Sequence, residues 1–131
     1  MWKLIFAIPI LMHGLAHLSG FLASWTPFDA GYSASPWLLS QGIQLQSVTG
    51  RVFGLLWLVA ALGLVASALG IALQLQWWSS LLLASSLISL IVILPWWNTV
   101  PPGARVGAAF DILVIVILVS PLKLRLLELV Q

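Results

Sequence analysis

Residues 52–73 read VFGLLWLVAALGLVASALGIAL, a run with no charged side chain and one hydroxyl, that of Ser67. A helix needs about 20 mostly apolar residues to cross the ~30 Å hydrocarbon core of a bilayer. This run has that length, and the chain on either side repeats the pattern at 4–24, 78–94 and 106–122. A tight connection around residues 74–77 makes the second and third runs antiparallel, while 25–50 forms a long first loop. Pro95 and Pro121 read as helix stops, because proline has no backbone N–H to donate. The pattern predicts an all-α fold: a single-domain, integral membrane, antiparallel four-helix bundle.

Composition points the same way. Of 131 residues, 62% are hydrophobic and 6% charged, against about 25% charged in a soluble domain. Mean hydropathy is +1.15. Five Lys and Arg with three Asp and Glu cannot give a globule of this size a polar skin. A soluble enzyme and a disordered tail are therefore excluded. The sequence pI of about 9.7 reflects a net charge of +2 on few ionisable groups, and no basic run marks a nucleic-acid partner. Cysteine is absent, which removes disulfides, thiolate-held metals, iron–sulfur clusters and thiol redox chemistry. The first run follows Lys3 as a signal peptide would, but His13 and His17 interrupt it, and it reads as a retained span.

Lys and Arg set the orientation. With the N-terminus inside, Lys3, Lys123 and Arg125 are cytoplasmic, Arg51 and Arg105 lie outside, and the long loop carries neither residue type. Both termini are expected in the cytoplasm. Trp25, Trp37, Trp96 and Trp97 fall on the loop side, and Trp2, Trp77 and Trp78 on the terminal side. They read as interfacial belts, with an aromatic ligand cage at Trp96-Trp97 as the sharper alternative. Trp57 alone lies inside a span. Residues 43–48 alternate apolar and polar, which predicts a short extended piece. Gly50 with Gly54, Gly103 with Gly107, and Ser85 with Ser89 recur one turn apart, as close helix packing in lipid requires.

Ionisable groups in hydrocarbon are costly and usually face the bundle interior. His13 lies about 14 Å into the first span, near the midplane, and His17 about 10 Å below the loop-side surface. Asp111 lies about 7–8 Å below the same surface. Arg51 opens the second span there and Arg105 precedes the fourth. A buried carboxylate stays ionised beside an arginine, so Asp111 is expected to pair with Arg51, or else with Arg105. His13 and His17, at i and i+4, share one helix face. They suit hydrogen bonds to serines or Asp111, axial ligation of a haem or pigment, or a metal or proton relay. Zinc needs three or four protein ligands and Asp111 is the only other candidate in reach, so no metal site is assigned. Candidate ligand-binding residues are His13, His17, Asp111, Arg51 and Trp57, with His17 expected to matter more than His13. No catalytic residue is assigned.

The stretch His13-Gly14-Leu15-Ala16-His17-Leu18-Ser19-Gly20-Phe21 resembles a group of small bacterial four-span membrane proteins with an HGLxHLxGF-like motif in their first helix. The similarity extends to residues 51–61, to Trp77-Trp78 and to residues 107–111. It implies an inner-membrane, multi-pass protein, with a shape similar to DoxX-type four-helix membrane proteins by analogy of fold. A long first loop is also claudin-like, but the loop has no cysteine. A chain this small has little soluble surface for catalysis. The leading expectation is therefore a non-catalytic accessory or structural subunit of a larger membrane complex, or a homo-oligomer in the lipid bilayer. The alternative is a membrane module holding a quinone, lipid, haem or pigment near His13 and His17. A lipid-modifying enzyme, with His17 or Asp111 as acid–base, comes third.

Overall fold

The computed structural model describes residues 2–29, 31–38, 43–100 and 102–130. Helix is the form in which an apolar run satisfies its backbone groups internally, and the runs fold accordingly. The order is α1 (Trp2–Trp25), α2 (Val48–Ala72), α3 (Trp78–Ile93) with a 3-10 turn at Leu94–Trp96, α4 (Gly103–Val119) and α5 (Leu122–Val130). No strand occurs among the described residues. Trp2–Trp25, Val48–Ala72 and Trp78–Trp96 are long and apolar enough to cross a membrane. Helix α4 has 17 residues, about 25 Å at 1.5 Å per residue. Large apolar side chains face outward on every helix, among them Met12, Leu62, Ile91 and Val116. That exterior suits hydrocarbon rather than water.

The boundaries differ from the sequence reading for local reasons. Helix α2 begins at Val48, because Ser47 caps it: the Gly50 N–H donates to the Ser47 hydroxyl at 3.2 Å. The extended piece expected at 43–48 is therefore a turn running into helix, with the Ser47 N–H donating to the Gln44 carbonyl at 2.9 Å. Pro95 does not stop α3 outright. It sits at the start of the 3-10 turn, where its missing N–H costs nothing. The residues after Leu122, expected as a tail, form α5. Ser120 is extended (φ −101°, ψ 170°), as the residue before a proline prefers. Pro121 thus breaks α4 from α5, and α5 returns Val130 to the core.

The first loop lies on the bundle. The Leu45 N–H donates to the Ala34 carbonyl at 2.8 Å, the Trp37 N–H to Pro95 at 3.0 Å, and the Val100 N–H to Gly31 at 2.9 Å. Leu45 is buried. Its carbonyl and that of Gln44 press against Gly50, where any Cβ would collide with them.

Packing divides into two apolar cores. One holds Ala7, Ile10, Leu64, Ile71, Trp78, Leu82, Val114 and Leu118 toward the termini. The other holds Ala23, Trp57, Val92, Ile93, Trp96 and Ala108 toward the loop. On α1, α3 and α4 the residues between the two cores are polar: His13 and His17, then Ser85, Ser86 and Ser89, then Asp111.

Candidate functional site

The layer between the cores is one hydrogen-bonded cluster. Asp111 is wholly buried. The His13 Nε2–H donates to its Oδ1 at 3.1 Å, and the Ser89 hydroxyl donates to its Oδ2 in a short bond. Ser89 also meets His17 Nε2 at 2.7 Å and His13 Nε2 at 3.4 Å. The His17 Nδ1–H donates to the His13 carbonyl at 3.0 Å, a contact the i, i+4 spacing provides. The two imidazoles stand edge to face with centroids 4.6 Å apart. Phe110 covers His13 from α4, 5.0 Å between centroids.

The expected pairing of Asp111 with Arg51 does not occur, nor does the one with Arg105. Both arginines are exposed. The Arg51 guanidinium lies 5.6 Å from the centre of the Trp25 ring. The cause is depth. Helix α4 begins at Gly103, which puts Asp111 about 12 Å along it, while Arg51 stays in the first turn of α2. At that depth Asp111 is level with His13. His13 is therefore the carboxylate's direct partner, and His17 reaches it through Ser89. The ranking of His17 above His13 loses its basis. The expected hydrogen bonds of the histidines to a serine and to Asp111 are both present, and Ser89, named from sequence for its packing, is the hub. Its signal was its place on the α3 turn that faces the histidines, which only the register of three helices reveals.

Above the cluster lies a partly open cavity of about 110 Å³. His13 and His17 form its polar end. Trp57, Trp96, Tyr32 and the start of α4 form its walls. Trp57 packs edge-on against Trp96 (5.3 Å) and Tyr32 (5.4 Å). Gly20 leaves room for the Trp57 ring: a Cβ there would stand 2.5 Å from it. Trp96 is 1% exposed, so it is a wall of the cavity and not an interfacial belt residue. Its buried indole N–H has no partner among the described residues. Trp97 is not beside it in a cage; it is half-buried in a shallow recess with Trp37 and Asn98. Tyr32, from the first loop, exchanges a 3.2 Å hydrogen bond with Ser19. Burial pushes its phenol up from the usual tyrosine value, so it stays protonated at neutral pH and keeps a donor at the cavity.

The residues proposed from sequence thus divide. His13, His17 and Trp57 line the cavity, Asp111 lies just behind its histidine end, and Arg51 is outside it. No family model matches the chain, nor does any curated protein or solved structure.

Proposed function

We propose that this protein is a four-span inner-membrane protein, both termini cytoplasmic, that binds a small ring ligand with hydrogen-bond-accepting oxygens: the headgroup of a quinone. The supporting observation is the cavity with an orphan donor in its wall. A buried indole N–H without a partner is destabilising by about 1–3 kcal/mol, and Trp96 keeps one beside an aromatic slot. The indole nitrogen is itself closed off behind the wall, so a ring carbonyl would accept from it once the Trp96 ring turns its edge toward the cavity, with the ligand stacking on Trp57 and meeting the imidazole edge. Size favours a single ring over a macrocycle. An engineered cavity of about 150 Å³ takes only a ligand the size of benzene and this one is smaller, so a macrocycle is excluded and a quinone ring would extend out through the open side.

This reading is preferred to an accessory subunit, because packing alone requires no such cavity. It is preferred to a lipid-modifying enzyme because Ser89, the one hydroxyl joined to both His17 and Asp111, is buried behind the cavity lining. The motif's resemblance to small bacterial proteins supports the inner-membrane location. For α4 to be the fourth span, the bilayer must meet a helix of 17 residues, at the lower end of the workable range.

The test is tryptophan quenching of the detergent-purified protein by a benzoquinone with a short alkyl chain. Saturable quenching is expected, and Trp96→Phe should weaken it about 3–10-fold by removing the indole donor. Quenching that never saturates, or that Trp96→Phe leaves unchanged, overturns the proposal.

A further inference from the structure

The cluster is one cation short. Because a carbonyl only accepts, His17 Nδ1 carries its proton toward the His13 carbonyl. In an uncharged imidazole, Nε2 then presents a bare lone pair. That lone pair faces the Ser89 oxygen at 2.7 Å, while the Ser89 hydrogen is directed at Asp111. Turning the hydroxyl toward His17 only moves the conflict to Asp111 Oδ2. One hydroxyl hydrogen cannot serve both neighbours, so two lone pairs are pressed together either way.

We propose that the cluster is a divalent transition-metal site of the zinc class, held by His13 Nε2, His17 Nε2, the Asp111 carboxylate and, as a weak fourth donor, Ser89 Oγ. One donor atom each from His13, His17 and Asp111 lies within 4.8 Å of the others. Tetrahedral zinc holds imidazole nitrogen at about 2.0–2.1 Å, which sets neighbouring donors about 3.3 Å apart. His13 Nε2 and Asp111 Oδ1 are already at 3.1 Å. Metal-bound histidines commonly anchor their other ring nitrogen on a carbonyl, as His17 does on His13. His13 gives up its Nε2 proton by taking the Nδ1–H tautomer. Two imidazoles, a carboxylate and a hydroxyl are a borderline donor set suited to zinc or cobalt. Both histidines border the cavity, which gives the ion its access route. The assignment stands independently of the quinone reading, since no ring ligand enters it.

The experiment uses the full chain in detergent, stripped with a chelator and titrated with Co²⁺ alone, then Zn²⁺ alone. One equivalent is expected, with the intense visible bands of low-symmetry Co²⁺ that Zn²⁺ abolishes. Asp111→Asn and His17→Gln should each weaken binding by more than about 100-fold, beyond the usual 10–100-fold effect of an outer-shell change. Ser89→Ala should stay within about tenfold, since the three strong ligands remain. Glu128→Gln, an exposed carboxylate, should have no effect. The wild-type titration needs no variant to fold. A folded wild-type protein that takes up no metal at micromolar concentrations overturns the proposal and makes the missing cation a proton. Bands that survive in both Asp111→Asn and His17→Gln also overturn it.

Discussion

At the scale of single residues, the arginines and histidines exchange the roles their sequence positions imply. Among the described residues the Arg51 guanidinium reaches no carboxylate and lies over the Trp25 ring, an exposed contact of about 0.5–1 kcal/mol. Arg51→Ala should therefore shift the melting of the detergent-solubilised protein only slightly; a loss of several kcal/mol would restore the Asp111 pairing. His13 donates directly to the buried carboxylate, so His13→Ala should destabilise at least as much as His17→Ala. Each removes hydrogen bonds from buried partners, a loss of about 1–3 kcal/mol. A mild His13 variant beside a crippled His17 variant would contradict the geometry. Gly20 carries a steric prediction. The Cβ of Gly20→Ala would strike the rigid Trp57 indole at 2.5 Å, which overpacking makes a loss of about 1–3 kcal/mol. The same change should shift the tryptophan emission, because Trp57 must move.

At the scale of elements, end signals decide what apolar runs leave open. Ser47 extends α2 past the point where hydropathy alone would start it. Ser47→Ala should cost about 0.5–2 kcal/mol as a lost cap, measurable in the same thermal assay, while Ser47→Asp should retain stability. Helix α5 was hidden for a different reason. Its residues alternate between Leu and Lys, Arg or Glu too densely for a span, and its apolar stripe has meaning only against the α1 and α4 ends where Val130 buries. Truncation after Pro121 should expose Ile10 and Leu118 and lower the melting temperature; an unchanged melt would show that α5 contributes nothing to the terminal-side core.

At the scale of the whole molecule, two apolar cores clasp a polar layer, and the topology decides which water faces the cavity. With four spans, Ser35 in the first loop and Lys123 at the start of α5 lie on opposite sides. Single cysteines at Ser35 and Lys123 should then be labelled by an impermeant maleimide from opposite faces of sealed vesicles. Labelling of both from one face would leave α4 outside the membrane and three spans in place.

Hydropathy determined the helical class, because a run such as 52–73 has no other way to satisfy its backbone in hydrocarbon. It also marked His13, His17 and Asp111, since so few polar groups compete for notice in a chain that is 6% charged. Which of them meet was decided by tertiary structure alone. Depth along each helix depends on where it starts, and α2 and α4 start three or four residues earlier than their apolar runs. A shift of three or four residues moves a side chain by about 5 Å, enough to replace an arginine with a histidine as the partner of Asp111. Ser89 became the hub by the same logic: one hydroxyl among several on α3, distinguished only by the rotation that turns it toward α1 and α4.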